Sequence, residues 1–317
     1  MSVGSPIGNE SNAPRRKRFS RGTAPALRLT GDDAAIILHV AKHRFLNSRH
    51  IIGLMPHRSA KKLIERLGVL YHNGFLDRPR AQLTYYAAAG SAPMVYALGN
   101  CGAHVLAERT EFKSPRVDWT WKNRSIGRLF LEHTLMTADV MVGLACHVRQ
   151  RTGITLIEPQ QIAATALNQK RTPFSFTARP QGFSMELTVV PDCVFGLDID
   201  GQRSAKYFFL EADRATMPVV RSDLNQTSMM RKFLAYVAGG GSQNAFGKQL
   251  GINNFRVLVV TTSTQRMTTM IEALKMATGG VGSRQFLFAD HEAVRRAENL
   301  LDLEWLTGKG EHVRLIN

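Results

Sequence analysis

Three carboxylates, Asp192, Glu211 and Asp213, fall in one short region of the chain, and Lys232 and Tyr236 follow at a spacing of four. That spacing puts the amine and the phenol on one face of a helix. Closely placed carboxylates repel one another unless a cation lies among them, and hard oxygen ligands suit Mg²⁺ or Mn²⁺. Aspartate is also common where strands end and turns begin, which would account for Asp192 and Asp213 one at a time. As a group, the residues point to a site.

The flanking elements would bring these residues together. Met185, Leu187 and Val189 alternate with Glu186, Thr188 and Val190, the period of a strand. Cys193 to Ile199 is a second apolar run, closed by the turn pair Asp200-Gly201. Tyr207 to Leu210 is unbroken and aromatic, as in a strand buried on both faces. A hairpin across Asp200-Gly201 returns Glu211 and Asp213 towards Asp192. Ser222 or Asp223 is placed to cap a helix running through Val237, which the glycine run Gly239-Gly240-Gly241 ends. Phe255 to Thr262 reads as a buried strand, Thr264 opens another helix, and Gln285 to Phe288 is a last strand. Upstream, a long helix is expected from about Ser125 to Gln150. It carries Glu132, an outer candidate for the acidic site, and His133, read as a core or interface histidine. Helix, three strands, helix, strand is the order of an open sheet flanked by helices, an α/β fold (α+β over the whole chain).

The 317 residues carry a formal net charge of +16 and a sequence pI near 10.3. Such an excess favours a polyanionic partner, nucleic acid above all. A hydrophobic content of 44% is that of a globular protein. Residues 1–28 read as a basic arm in which Arg15, Arg16, Lys17 and Arg18 can track phosphates without prior folding. Residues 29–110 give three helices and a two-stranded hairpin, the order of a winged helix. Arg58, Lys61, Lys62 and Arg66 on its third helix are the expected DNA contacts. Residues 111–124 read as a linker whose Trp119 and Trp121 are docking anchors, and residues 125–317 form the sheet domain. Lys170, Arg171 and Arg179 make the stretch from Ile162 to Thr177 and beyond a phosphate-contacting candidate. Three widely spaced cysteines without metal-ligand spacing, and no apolar run of bilayer length, lead to the expectation of a cytoplasmic protein away from membranes.

With Pro191-Asp192 opening the second strand and an acidic pair closing the third, the αβββαβ order resembles the restriction-endonuclease-like PD-(D/E)XK nucleases. The whole chain after about residue 30 resembles the replication-relaxation family of plasmid and mobile-element proteins. The matching residues are Tyr96-Ala97-Leu98-Gly99, Glu132-His133, Pro191-Asp192, Leu210 to Arg214, Lys232 to Tyr236, and Val257 to Thr262 followed by Arg266. The resemblance implies a bacterial protein acting on double-stranded DNA at a plasmid origin or transfer origin, with a dimer natural on paired half-sites. Its activity would be metal-dependent nicking. Asp192 and Glu211 would hold Mg²⁺ or Mn²⁺, Asp213 would assist or hold a second ion, and Lys232 would orient the nucleophile. The nuclease pattern wants Glu-x-Lys, but Asp213 stands where that lysine would be, so the amine must come from the following helix. Arg214 is an alternative phosphate clamp, and Tyr236 an alternative covalent nucleophile. The other implied function is a non-catalytic, sequence-specific DNA-binding regulator of replication or transcription with a degenerate nuclease core.

Overall fold

A computed structural model describes residues 18–83, 92–108, 117–166, 173–182, 184–241 and 243–316. Arg15, Arg16, Lys17, Lys170, Arg171 and the tip of the expected wing lie outside the described residues. The chain divides into two compact units, one formed by Met1–Ser48 and His57–Gly127, the other by Arg49–Pro56 and Arg128–Asn317.

In the first unit, helix α1 (Gly31–His43) begins at a capping box. Thr30 Oγ1 accepts from the Asp33 amide, and the Asp33 carboxylate accepts from the Thr30 amide at 2.7 Å. Ile36, Ile37 and Val40 are its buried stripe. Strand β1 (Phe45–Asn47) leads into α2 (Ser48–Leu54), most of which folds with the second unit, and the first unit resumes with α3 (Ala60–His72), which has Leu63, Leu67 and Leu70 inside. Strands β2 (Leu76–Asp77) and β3 (Val95–Leu98) complete an antiparallel sheet in the order β1-β3-β2. Helix α4 (Asn100–Ala107) and the short α5 (Trp119–Arg124) close the unit. The expected linker is thus partly helical. Trp119 is buried, with the Arg44 and Lys122 cations over its ring, whereas Trp121 is 69% exposed.

The second unit is built on a seven-stranded sheet. Its strands are β4 (Ile154–Ile157), β7 (Cys193–Ile199), β8 (Lys206–Ala212), β9 (Phe255–Thr261), β10 (Phe286–Asp290), β11 (Trp305–Thr307) and β12 (His312–Val313). They run in the order β12-β11-β10-β9-β8-β7-β4, and only β8-β9 and β9-β10 are parallel. Helix α6 (Arg128–Val148) buries Met136, Val140 and Leu144 against Phe195, Phe208, Leu210 and Val260 on one face. By length and composition this helix could cross a bilayer; here it is a core helix of the unit. On the opposite face, α8 (Met229–Gly240) and α10 (Thr264–Ala277) cover Val194, Phe209, Val257 and Val259.

The first strand differs from expectation. The alternating stretch around Leu187 forms β6 (Leu187–Val189), which pairs with β5 (Phe176–Ala178) in a separate two-stranded sheet. Its period is satisfied by burying Leu187 and Val189 in the α8-side core. The place it was expected to take belongs to β4, a partly exposed edge strand entered from Gly153 at φ +75°. The α8 cap differs as well. Asp223 accepts from the Asn225 amide in a turn, and Ser228 caps the helix.

Residues Arg49–Pro56 belong to the second unit. His50 Nε2 lies 2.6 Å from Asp139 Oδ1 on α6, and His291 Nε2, at the start of α11 (His291–Arg296), lies 2.8 Å from Asp139 Oδ2. Arg149 donates to the Gly53 and Leu54 carbonyls.

Candidate active site

Strand pairing does most of the positioning. Cys193 pairs with Leu210 in the antiparallel β7-β8 ladder, and the Asp192 amide donates to the Leu210 carbonyl at 2.9 Å. One step beyond that pair, Asp192 and Glu211 are cross-strand neighbours, so their side chains share a face. Alternation along β8 turns Phe208 and Leu210 towards α6 and Phe209 towards α8. Glu211 therefore meets α8, whose Lys232 and Tyr236 stand one turn apart.

The two oxygens of Glu211 are divided between those residues. Tyr236 Oη donates to Oε1 at 2.5 Å, and Lys232 Nζ pairs with Oε2. Asp192 accepts from the Ala212 amide at 2.7 Å through Oδ2, and His133 Nε2 lies 3.0 Å from Oδ1. Glu211 is buried and Tyr236 fully so, while the Lys232 and His133 side chains are 28% and 34% exposed. A cavity of about 90 Å³ opens onto this group, lined by His133, Glu211, Asp213, Lys232, Met217 and Met229 among others.

Burial pushes the Glu211 carboxyl up to about 7 against the pull of Lys232. Burial acts on Asp192 in the same sense, but the His133 hydrogen bond, the Lys232 charge and the Ala212 amide together hold it below its ordinary value. That hydrogen bond to Asp192 raises His133, outweighing its own burial. Lys232 is lowered by burial and raised more by Glu211 and Asp192, so it stays a cation. Tyr236 is driven well above its usual range by burial and the Glu211 charge, which makes it a donor to that carboxylate.

Two further acids are held in a different way. Asp213 receives Arg266 on both oxygens, Thr261 Oγ1 at 2.8 Å and the Ala215 amide at 3.2 Å. Arg266 also donates to the Met217 carbonyl, so it fixes the loop after β8. Glu132 is buried between Arg128, at 2.6 Å, and Arg214, which also donates to the Leu129 carbonyl. Arg214 is thereby paired to a carboxylate while still lining the cavity.

Among the described residues no group of three or more His, Cys, Asp or Glu side chains has metal-holding geometry. Mg²⁺, however, is commonly held by one or two carboxylates plus water and substrate phosphate. Asp192 and Glu211 fit that requirement: hard oxygens on adjacent strands whose counter-cations are partly exposed, single-contact side chains. Asp213 does not fit, because a bidentate guanidinium occupies both of its oxygens.

The sequence reading missed Arg266 as a partner and His133 as a site residue. The available signal for His133 was its place beside Glu132, one residue on from the candidate acid. In the first unit, the expected DNA contacts separate into two kinds. Arg66 makes a bidentate pair with buried Asp33, and Arg58 pairs with Asp32, whereas Lys61 and Lys62 are exposed and carry no ion pair among the described residues.

The second unit is a mixed sheet between helices with an acidic, lysine-bearing site at the strand ends, which makes the chain an α/β protein. It belongs to the replication-relaxation family, whose match covers residues 38–263. Membership ties it to replication or mobilisation of plasmids or mobile elements, and so to a DNA-related role. No curated protein and no solved structure matches the chain.

Proposed function

We propose that the chain binds double-stranded DNA at a plasmid origin or transfer origin and nicks one strand there with the help of Mg²⁺ or Mn²⁺. The observation that carries this reading is Lys232, delivered by α8 onto Glu211, with Asp192 across the strand pair. A nuclease of the PD-(D/E)XK kind needs two carboxylates and an amine at one phosphate, and the displaced lysine meets that need from the next helix.

In this reading the first unit is a winged helix that presents Lys61 and Lys62 of α3 to DNA, and the second is a divergent nuclease-like core. Asp192 and Glu211 would hold the ion, which would supply positive charge at the scissile phosphate. Lys232 orients the attacking water and stabilises charge on the phosphate oxygens. Water adds to phosphorus, one P–O bond breaks, and the strand is left with a phosphomonoester and a free hydroxyl. Tyr236 holds one oxygen of the Glu211 carboxylate through its hydrogen bond. Its full burial argues against a role as covalent nucleophile.

The test is supercoiled plasmid carrying the element's own origin, incubated with Mg²⁺ or Mn²⁺. Wild type should yield open circles and Asp192→Asn should not, while both retain the DNA in a gel shift. Retention without nicking by wild type would leave the regulator reading: a DNA-binding protein whose nuclease-like core only holds shape.

A further inference from the structure

The first unit contains another charged cavity, which α3's exposed lysines do not line and which the reading above does not use. It has a volume of about 240 Å³, and its wall carries Arg21, Arg78, Arg80 and Arg124 against a single carboxylate, Asp77. Among the described lining residues four cations thus face one carboxylate in a single concavity, where low-dielectric walls concentrate their field.

The arginines are of two kinds. Arg21 is fixed by donating to the Tyr71 and Leu76 carbonyls at 3.0 and 3.1 Å, and lies 3.6 Å from Asp77. Arg78 is stacked 4.1 Å over the Tyr71 ring and donates to the Arg18 carbonyl at 2.8 Å. Its Nε is buried without an acceptor. The Arg80 and Arg124 side chains are exposed and make neither a hydrogen bond nor an ion pair among the described residues. Two preset guanidinium groups with two free ones beside them form a receptor for an oxyanion, since planar guanidinium forks match phosphate oxygens in pairs.

We infer that this pocket binds a phosphomonoester or polyphosphate group, with a nucleoside di- or triphosphate as its ligand. Charge decides the class. A backbone phosphodiester brings one negative charge, too few for the surplus, whereas a nucleotide's terminal phosphates bring two or more. A concavity of about 240 Å³ admits the terminal phosphates of a small molecule.

The full chain should be titrated by calorimetry with ATP, with inorganic phosphate, and with matched oligonucleotides bearing a 5′-phosphate or a 5′-hydroxyl, all at one ionic strength. ATP should bind saturably. The double variant Arg80→Gln/Arg124→Gln should bind at least roughly tenfold more weakly, the loss expected for one charge-assisted hydrogen bond, with its melting temperature unchanged. Preference for the 5′-phosphorylated oligonucleotide over ATP would reassign the ligand to a DNA end and overturn the nucleotide assignment. Absence of saturable ATP binding, or ATP binding that the double variant leaves intact, would overturn the site itself. Duplex binding and nicking are separate readouts, so either inference can fail alone.

Discussion

Two pairs of acids stand near the same end of the sheet, and they differ in what neutralises them. Asp213 and Glu132 are matched to arginines that also grip backbone carbonyls, Arg266 on Met217 and Arg214 on Leu129. Asp192 and Glu211 are matched to a histidine and a lysine whose side chains are partly exposed. Guanidinium cannot give up its proton and holds a carboxylate at two points; imidazole and ammonium hold at one and can be displaced. An acid paired to arginine thus serves architecture, and an acid paired to lysine or histidine remains open to a ligand.

The largest effect should come from the open pair. Asp192→Asn or Glu211→Gln should slow nicking of origin plasmid by about 10³-fold, an effect of about 4 kcal/mol, with duplex binding retained. Breaking the other pair should instead cost stability. Arg266→Ala leaves Asp213 buried and uncompensated, and denaturant unfolding should register a loss of about 3 kcal/mol. Pairing it with Asp213→Leu should restore most of that loss, whereas no second substitution should restore activity to Asp192→Asn.

Asp139 offers an intermediate case, a carboxylate held by two histidines. Burial would raise it, but its bonds to His291 and His50 bring it down to about 2. A depressed folded value stabilises above the unfolded value near 3.8, and that contribution is lost as pH falls through about 2. Asp139→Asn should therefore cost about 2 kcal/mol near neutrality and flatten the acid limb of an unfolding titration between about pH 4 and 2. Smaller still, Tyr236→Phe should cost about 1 kcal/mol and slow nicking about tenfold, because Glu211 keeps Lys232 but loses one donor. The smallest change is expected at the surface of α3. Lys61→Gln should weaken duplex binding and reduce the log-log salt slope by about one.

Much of the open pair was legible in the sequence, because local rules produce it. The Asp200-Gly201 turn sets the β7-β8 register, and a spacing of four puts Lys232 and Tyr236 together. The closed pairs were legible only where Arg128 stands four residues before Glu132 on one helix; their other partners come from distant elements. Arg266 lies 53 residues from Asp213, and Arg214 lies 82 from Glu132. Nothing in a helical pattern says which distant carboxylate an arginine will reach. Strand β4 escaped for the opposite reason: at a half-exposed edge its apolar residues show no clean period, while the better alternation of β6 belongs to a small sheet outside the main one.

Because Arg49–Pro56 folds with the second unit, the polypeptide enters that unit, leaves it and returns. No single cut therefore yields two self-sufficient halves. A fragment beginning at Arg128 would lack His50, leaving Asp139 with one histidine, and would deprive Arg149 of the Gly53 and Leu54 carbonyls. Dissection of this protein calls for a tethered or co-expressed segment spanning Ser48 to His57, and protease nicking there should loosen the sheet unit even though the cleavage lies far upstream of it.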